Sequence, residues 1–282
     1  MSLANPAALT ADVLAAMDAA SAAEIMPRWR NLAPGDVRSK GEWWDVVTDG
    51  DVNAERMLTE SLPGVLDVPV VGEEAVAEDE SIVDLVATAE GCWIIDPIDG
   101  TRNYVDGRED FACMVALVVG GRMAGGWITH PATGGVLWAA AGAGAFFNGE
   151  RLDPGANAAL ASGPGDPVRG APCIHRDEEL DTPLAVAAAG LGGARLLRGC
   201  AGWDYYDVAT GATDYLLYRR TKPWDHAPGG LIAQDAGLRV SRPDGSDYLP
   251  GDGGAGLLVA PPAQWQRVAD ALGLPGSLAE TA

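Results

Sequence analysis

Residues 93–103 read Trp93-Ile94-Ile95-Asp96-Pro97-Ile98-Asp99-Gly100-Thr101-Arg102-Asn103. An apolar run with strand character stops at Asp96, and the chain turns at once through Pro-Ile-Asp-Gly-Thr. Two carboxylates three residues apart thus leave the end of a buried strand inside a tight turn. Proline fixes one backbone angle there, and glycine admits conformations or close approaches that a side chain blocks. Oxygen ligands on a stiff turn suit a hard cation such as Mg²⁺. Taken alone, Asp-x-x-Asp-Gly is more often an ordinary surface turn, so its meaning depends on what the rest of the chain brings to it.

The chain has 282 residues, room for one large domain or for two smaller lobes over a shared core. A hydrophobic content of 48% with 37 glycines reads as ordinary globular α/β rather than disorder. The 40 acidic and 19 basic side chains give a formal net charge of −21. That balance argues against nucleic-acid polymers and anionic membranes, which require a basic surface. Cys92, Cys113, Cys173 and Cys200 show no CxxC spacing and no paired histidines. A zinc site or disulfide framework is therefore not expected, and a reducing compartment fits. Met1-Ser2-Leu3-Ala4-Asn5 lacks the basic and apolar regions of a signal peptide, and no run approaches the ~18 apolar residues of a membrane span. The expectation is a cytoplasmic protein.

From the N-terminus, Leu9, Val13, Met17 and Ile25 predict an amphipathic helix over Pro6–Met26. Residues 31–43 read as a loop. A helical pattern covers Val52–Ser61, with Asp51 placed to cap it. Leu66–Val71 reads as a strand leading into Gly72-Glu73-Glu74, the acidic segment 78–90 as a loop or short helix, and 92–96 as the strand before the opening turn. Phe111–Val119 and Arg122–Thr129 form a hairpin around Gly120-Gly121, and Gly135–Ala140 and Ala143–Phe147 add strands before Asn148-Gly149. Residues 153–172, rich in Pro, Gly and Ala, mark a boundary between lobes 1–152 and 153–282 of a single domain. The second lobe alternates: helix Asp181–Gly190, strand Arg195–Arg198, helix Trp203–Thr210, strand Asp214–Tyr218, helix Trp224–Ala236, strands near 238–241 and 256–260, and helix Pro262–Leu272. This alternation predicts mostly crossover connections.

Asp51, Glu73, Asp96, Asp99 and Asp225 all fall at the ends of predicted strands or the starts of helices. Asp225, before Ala227-Pro228-Gly229-Gly230, is placed to cap a helix whose first turn tolerates proline. The set resembles the inositol monophosphatase family of Mg²⁺-dependent, lithium-sensitive phosphatases. Gly72-Glu73-Glu74 matches its GEE element, and Trp93 to Thr101 matches WxxDPxDGT. Trp224-Asp225 and the following helix match WDxAxGxxxxxxxG, and Asp45-x-Val47-Thr48-x-x-Asp51 fits DxVTxxD. Order and spacing agree from about residue 40 to 240, most of the chain.

The resemblance implies a layered α-β-α-β-α fold of the inositol monophosphatase and fructose-bisphosphatase type, and a homodimer. It implies two to three Mg²⁺ ions, with Mn²⁺ as a substitute. Glu73, Asp96 and the Ile98 carbonyl would hold one ion, Asp96, Asp99 and Asp225 a second, and Glu73 a weaker third, with Glu74 in support. Thr101 and Asp51 would orient and deprotonate the attacking water, and the Gly100 and Thr101 N–H groups would receive phosphate. Such ions neutralise a phosphate dianion before attack and stabilise the leaving alkoxide, so no Cys, Ser or His nucleophile is needed; His130, His175 and His226 are not catalytic candidates.

On the substrate side, the resemblance assigns the turn Gly199-Cys200-Ala201. Seven residues before Asp225, where inositol-selective members carry a glutamate, this chain has Tyr218, followed by Arg219 and Arg220. A tyrosine cannot accept from two substrate hydroxyls as a carboxylate does, which argues against strict inositol specificity. The first functional expectation is a phosphomonoesterase for a small polyol, sugar or amino-alcohol phosphate. A variant uses the arginines on a 3′(2′),5′-bisphosphate nucleotide or a sugar bisphosphate. From a different class, the alternative is a phosphatase-fold interaction protein with residual activity.

Overall fold

The structure is a computed structural model that describes residues 5–41, 46–153, 167–172, 183–254 and 256–274. Strands β1 (Val37–Ser39) and β2 (Val46–Thr48) pair with each other, in a stretch where the sequence predicts only loop before residue 43. A seven-stranded sheet follows in sequential order: β3 (Val70–Gly72), β4 (Gly91–Asp99), β5 (Ala112–Val119), β6 (Arg122–His130), β7 (Gly135–Ala140), β8 (Gly144–Phe147) and β9 (Glu150–Arg151). The β3–β4 pair is parallel and the rest are antiparallel. A second sheet has the order β10 (Gly170–Pro172), β11 (Tyr215–Tyr218), β13 (Leu257–Ala260), β12 (Arg239–Ser241). It is mixed: only β10–β11 is parallel, so the expectation of mostly crossover connections is too strong. Arg195–Arg198 is not a strand. Leu196 is exposed and Leu197 buried, which mimics alternation, but the backbone makes only an isolated bridge at Ala194.

The two sheets are layered with helices. Helices Pro6–Ala20 and Asp49–Val65 pack Leu9, Val13, Met17, Leu58 and Leu62 on Trp93, Ile95, Val115 and Trp127 of the large sheet. Its other face carries Ile94, Met114, Ile128 and Leu137, and helices Ala201–Ala209 and Pro223–Asp235 fill the space between the sheets. Beyond the small sheet, Trp265 and Val268 of helix Trp265–Ala271 pack on Leu217 and Leu258. This is the α-β-α-β-α layering that the resemblance implies. β4 is buried at every position because it has helices on both faces, and each large apolar side chain so buried contributes about 1.5–3 kcal/mol.

The hairpin turns follow their sequence signals. Gly120 and Gly121 have φ of 55° and 73°, and Asn148 and Gly149 have 49° and 82°, the paired positive values that a tight two-residue hairpin needs.

β4 does not stop at Asp96, where the sequence predicts its end; it continues to Asp99 through an irregularity. Asp96 pairs with Met114 and Asp99 with Ala112, so three steps on β4 are matched by two on β5. The extra residue makes a bulge between Asp96 and Asp99, in the stretch that holds Pro97, which has no N–H to give the ladder. Side chains three apart on a regular strand point to opposite faces; the bulge brings Asp96 and Asp99 to the same side.

Candidate active site

Asp96, Asp99 and Asp225 each offer a carboxylate oxygen, and these oxygens lie within 4.8 Å of one another. The first two come from the end of β4. Asp225 lies in the first turn of helix Pro223–Asp235, which begins with proline after Lys222. Asp225 is therefore not the cap that the sequence suggests. No side chain caps this helix, so the Asp225 carboxylate is spared for the cluster.

Burial, and then the charges of Glu73, Asp99 and Asp225, push the Asp96 carboxyl well above its ordinary value. Burial followed by Asp99 and Glu73 does the same to Asp225. The Asp99 carboxyl also rises through burial, although the Cys200 thiol and the Gly202 N–H both donate to its Oδ2, at 2.9 and 2.6 Å. No described Lys or Arg forms an ion pair with any of the three. Two buried carboxylates crowded against a half-buried third, with no ion pair among the described residues, call for a counter-ion, and an all-oxygen donor set fits a hard divalent cation.

Glu73 stands beside this cluster without joining it. Gly72 pairs with Ile95 in the parallel β3–β4 register, so Glu73 leaves β3 next to Asp96. Its Oε1 accepts from Lys40 Nζ at 3.0 Å, and the same ammonium donates to Glu74 Oε1 at 2.8 Å. Burial pulls the Lys40 pKa down, but the two glutamates outweigh it and hold the amine above its ordinary value. A cation bound by Glu73 would compete with that ammonium.

Asp51 is not the N-cap of its helix either. Thr48 is the cap: its Oγ1 accepts from the N–H groups of Gly50 and Asp51, and Asp51 Oδ2 accepts from Thr48 N at 2.8 Å, closing a capping box. The box fixes the carboxylate so that its other oxygen, Oδ1, accepts from Thr101 Oγ1 at 3.1 Å. Thr101 Oγ1 also lies 2.9 Å from the Ile98 carbonyl. Burial raises the Asp51 carboxyl to about 7, against the hydrogen bonds from Thr48.

The turns assigned to the substrate meet face to face. Gly100 has φ 81°, and a Cβ there would come within 2.9 Å of Cys200 Cβ and 3.1 Å of the Gly199 carbonyl oxygen. The first N–H groups of helix Thr101–Val105 take no side-chain cap. Asn103 Nδ2 ties the two turns, donating to the carbonyls of Asp110, Arg198 and Gly199. Ala201 opens the next helix. Tyr218 donates to Asp204 Oδ2 at 2.8 Å, and Asp204 Oδ1 accepts from Arg198 N at 3.0 Å. Burial raises the Asp204 carboxyl to about 7. Arg219 and Arg220 are exposed and form no ion pair among the described residues. His226 is hydrogen-bonded on both ring nitrogens, to Tyr205 Oη and the Arg220 carbonyl. Asp45, Cys173 and His175 lie outside the described residues.

Sequence reasoning missed Glu55 and Asp204, and quoted Asn103 within its motif without giving it a role. Each is polar and nearly wholly buried, but a lone Glu, Asn or Asp in a helical pattern looks like surface; only packing distinguishes it.

Acidic side chains gathered where a central strand meets the start of a helix, beside two glycine turns, could hold a metal ion. The sequence model of the inositol monophosphatase family matches residues 9–273, and the chain belongs to that family. It is 31% identical over 222 residues to the fructose-1,6-bisphosphatase/inositol-1-monophosphatase of Thermotoga maritima, covering 77% of this chain and 78% of that one. It is 34% identical over 243 residues to the inositol-1-monophosphatase SuhB of Mycobacterium tuberculosis, covering 80% and 76%. The solved Thermotoga maritima IMPase TM1415 superposes with a TM-score of 0.76 at 26% identity, covering 94% of this chain and 96% of that one. The family is metal-dependent, and the three-aspartate cluster could hold a metal ion. Among the described residues no helix is long and apolar enough to cross a membrane.

Proposed function

We propose that this chain is a Mg²⁺-dependent phosphomonoesterase for a small polyol, sugar or amino-alcohol phosphate. The convergence of Asp96, Asp99 and Asp225 beside the Asp51–Thr101 pair carries the reading. Asp96, Asp99 and Asp225, with Glu73 and the Ile98 carbonyl, would hold the ions, and Glu74 supports Glu73. Bound Mg²⁺ supplies charge neutralisation of the phosphoryl oxygens and a more acidic water. Thr101 has one hydroxyl proton, which Asp51 or the Ile98 carbonyl can accept. When it goes to Asp51, the Thr101 oxygen is free to accept from the attacking water, and the carboxylate takes up the proton that the chemistry releases. The N–H groups of Gly100 and Thr101 receive the phosphate, and the Gly199-Cys200-Ala201 turn faces the alcohol. Water and ester become alcohol and inorganic phosphate.

The test is phosphate release from inositol, sugar, histidinol and nucleotide 3′-phosphates, with and without Li⁺. Release that is lost on chelation and recovered with Mg²⁺ is expected. No release from any ester at millimolar Mg²⁺ would favour the interaction-protein reading instead. The exposed Arg219 and Arg220, which form no ion pair among the described residues, with the similarity to a relative named as a fructose-1,6-bisphosphatase/inositol-1-monophosphatase, support a second reading in which bisphosphates are also accepted. Lithium sensitivity and a homodimer are further parts of the proposal; light scattering reads the second.

Asp204 changes what is expected of Tyr218. By the resemblance alone, Tyr218→Glu should raise inositol phosphate hydrolysis. But the tyrosine hydroxyl lies 2.8 Å from the Asp204 carboxylate, so a glutamate would set two carboxylates against each other. Tyr218→Glu is expected to destabilise the protein by about 3 kcal/mol, and adding Asp204→Asn to restore it. Thermal melts check the first effect; the ratio of inositol phosphate to glycerol phosphate turnover in the double variant checks whether the position selects substrate.

A further inference from the structure

We propose that Glu55 is a positioning residue of the metal centre, acting through the backbone of the Gly72-Glu73-Glu74 turn. The proposal rests on the reading of Glu73 as a metal ligand. Glu55 is only 6% exposed, and its carboxylate spans the start of the short helix Glu73–Glu78. Oε2 accepts from the Glu74 N–H at 2.9 Å and Oε1 from the Ala75 N–H at 2.8 Å. These are N–H groups that a helix cannot satisfy within itself, and Gly72, the residue at the cap position, has no side chain to meet them. A carboxylate from another helix does so instead.

The same clamp explains why residue 72 is a glycine. Its φ is −106°, an angle open to any residue, so backbone freedom is not the reason. A Cβ at Gly72 would come within 2.3–2.6 Å of the Glu55 carboxylate. The close approach of that carboxylate is what excludes a side chain.

Glu55 also links two parts of the site. It lies one helical turn beyond Asp51, and residues four apart share a helix face. One face of helix Asp49–Val65 therefore delivers Asp51 to Thr101 and Glu55 to the turn that carries Glu73. Because Glu73 is the first residue beyond β3, the direction of its side chain depends on how the next two peptide groups are held. Glu55 holds both.

Manganese binding, followed by the EPR signal of free Mn²⁺, tests this apart from turnover. In Glu55→Gln an amide N–H₂ would face one of the two N–H donors, so a charge-assisted bond is lost. Mn²⁺ dissociation and Mg²⁺ half-saturation are expected to rise about tenfold while kcat at saturating Mg²⁺ stays within about twofold. Gly72→Ala should weaken Mn²⁺ binding similarly in the wild-type background, but not in Glu55→Ala, where the clashing carboxylate is gone. A lower Tm with unchanged Mn²⁺ affinity in Glu55→Gln would make the role merely structural and overturn the proposal. Equal effects of Gly72→Ala in both backgrounds would do the same. Glu73→Gln is the control: unchanged Mn²⁺ affinity there would overturn the ligand reading and the proposal together, whereas a loss there with none in Glu55→Gln overturns the proposal alone.

Discussion

Asp96→Asn lowers phosphate-ester turnover by about 10³-fold, on the scale of losing one strong electrostatic group from an active site, and leaves the metal-free protein no less stable. Both halves follow from the surroundings of the carboxylate. Asp96 is 2% exposed, and its Oδ1 accepts from the Ile98 N–H at 3.0 Å, a bond that the amide oxygen of asparagine can also accept. The charge, however, is crowded by Glu73, Asp99 and Asp225. Without metal, removing it relieves repulsion; with metal, it removes the ligand expected to be shared between ions. Turnover at saturating Mg²⁺ and a pair of melts in chelator check the two halves. Near-normal turnover would sink the assignment of the whole cluster.

Magnesium raises the melting temperature more at pH 8 than at pH 5. Burial and mutual repulsion raise the carboxyls of Asp96, Asp99 and Asp225, so the folded protein keeps protons that the unfolded chain has released. Asp51 behaves in the same direction, its ordinary value of 3.8 rising to about 7 in the fold. Stability from such groups is fully present below the unfolded value and is lost as pH rises through the folded one. The metal-free protein should thus lose the Asp51 contribution between about pH 4 and 7, and that of the three cluster carboxyls as pH rises through their own raised values. A cation competes with the same protons, so its stabilising effect grows as they leave. At 100 times Kd, binding contributes about 2.7 kcal/mol, an upward shift of about 5 °C or more for a chain of this size. Melts in chelator and in Mg²⁺ at the two pH values give the comparison; equal shifts at both would show that these carboxylates do not bind the ion.

Much of this was legible in the residues, because chemistry-bearing side chains fell in short, ordered motifs: Asp96 and Asp99 in one turn, Glu73 after a strand, and Asp225 beside Trp224. The layered fold followed from the resemblance, and the hairpins from Gly120-Gly121 and Asn148-Gly149. What escaped was long-range. Asp51 and Asp225 each looked like caps, since an acidic residue before a helical pattern usually is one, yet Thr48 and Lys222 hold those positions. Nothing local to Glu55 signals its burial against Gly72 and the Glu74 and Ala75 N–H groups. Pro97 looked like the end of a strand because proline seldom continues one; the ladder resumes at Asp99 through pairing with Ala112, which no local pattern reveals.

That resumption also bears on how such a centre can change. Substitution alters what Asp96 or Asp99 is, but an insertion between them alters whether they meet. Inserting one residue between them, with the bulge kept, would turn one carboxylate toward the opposite helices. The spacing is therefore guarded by chain length rather than by residue identity.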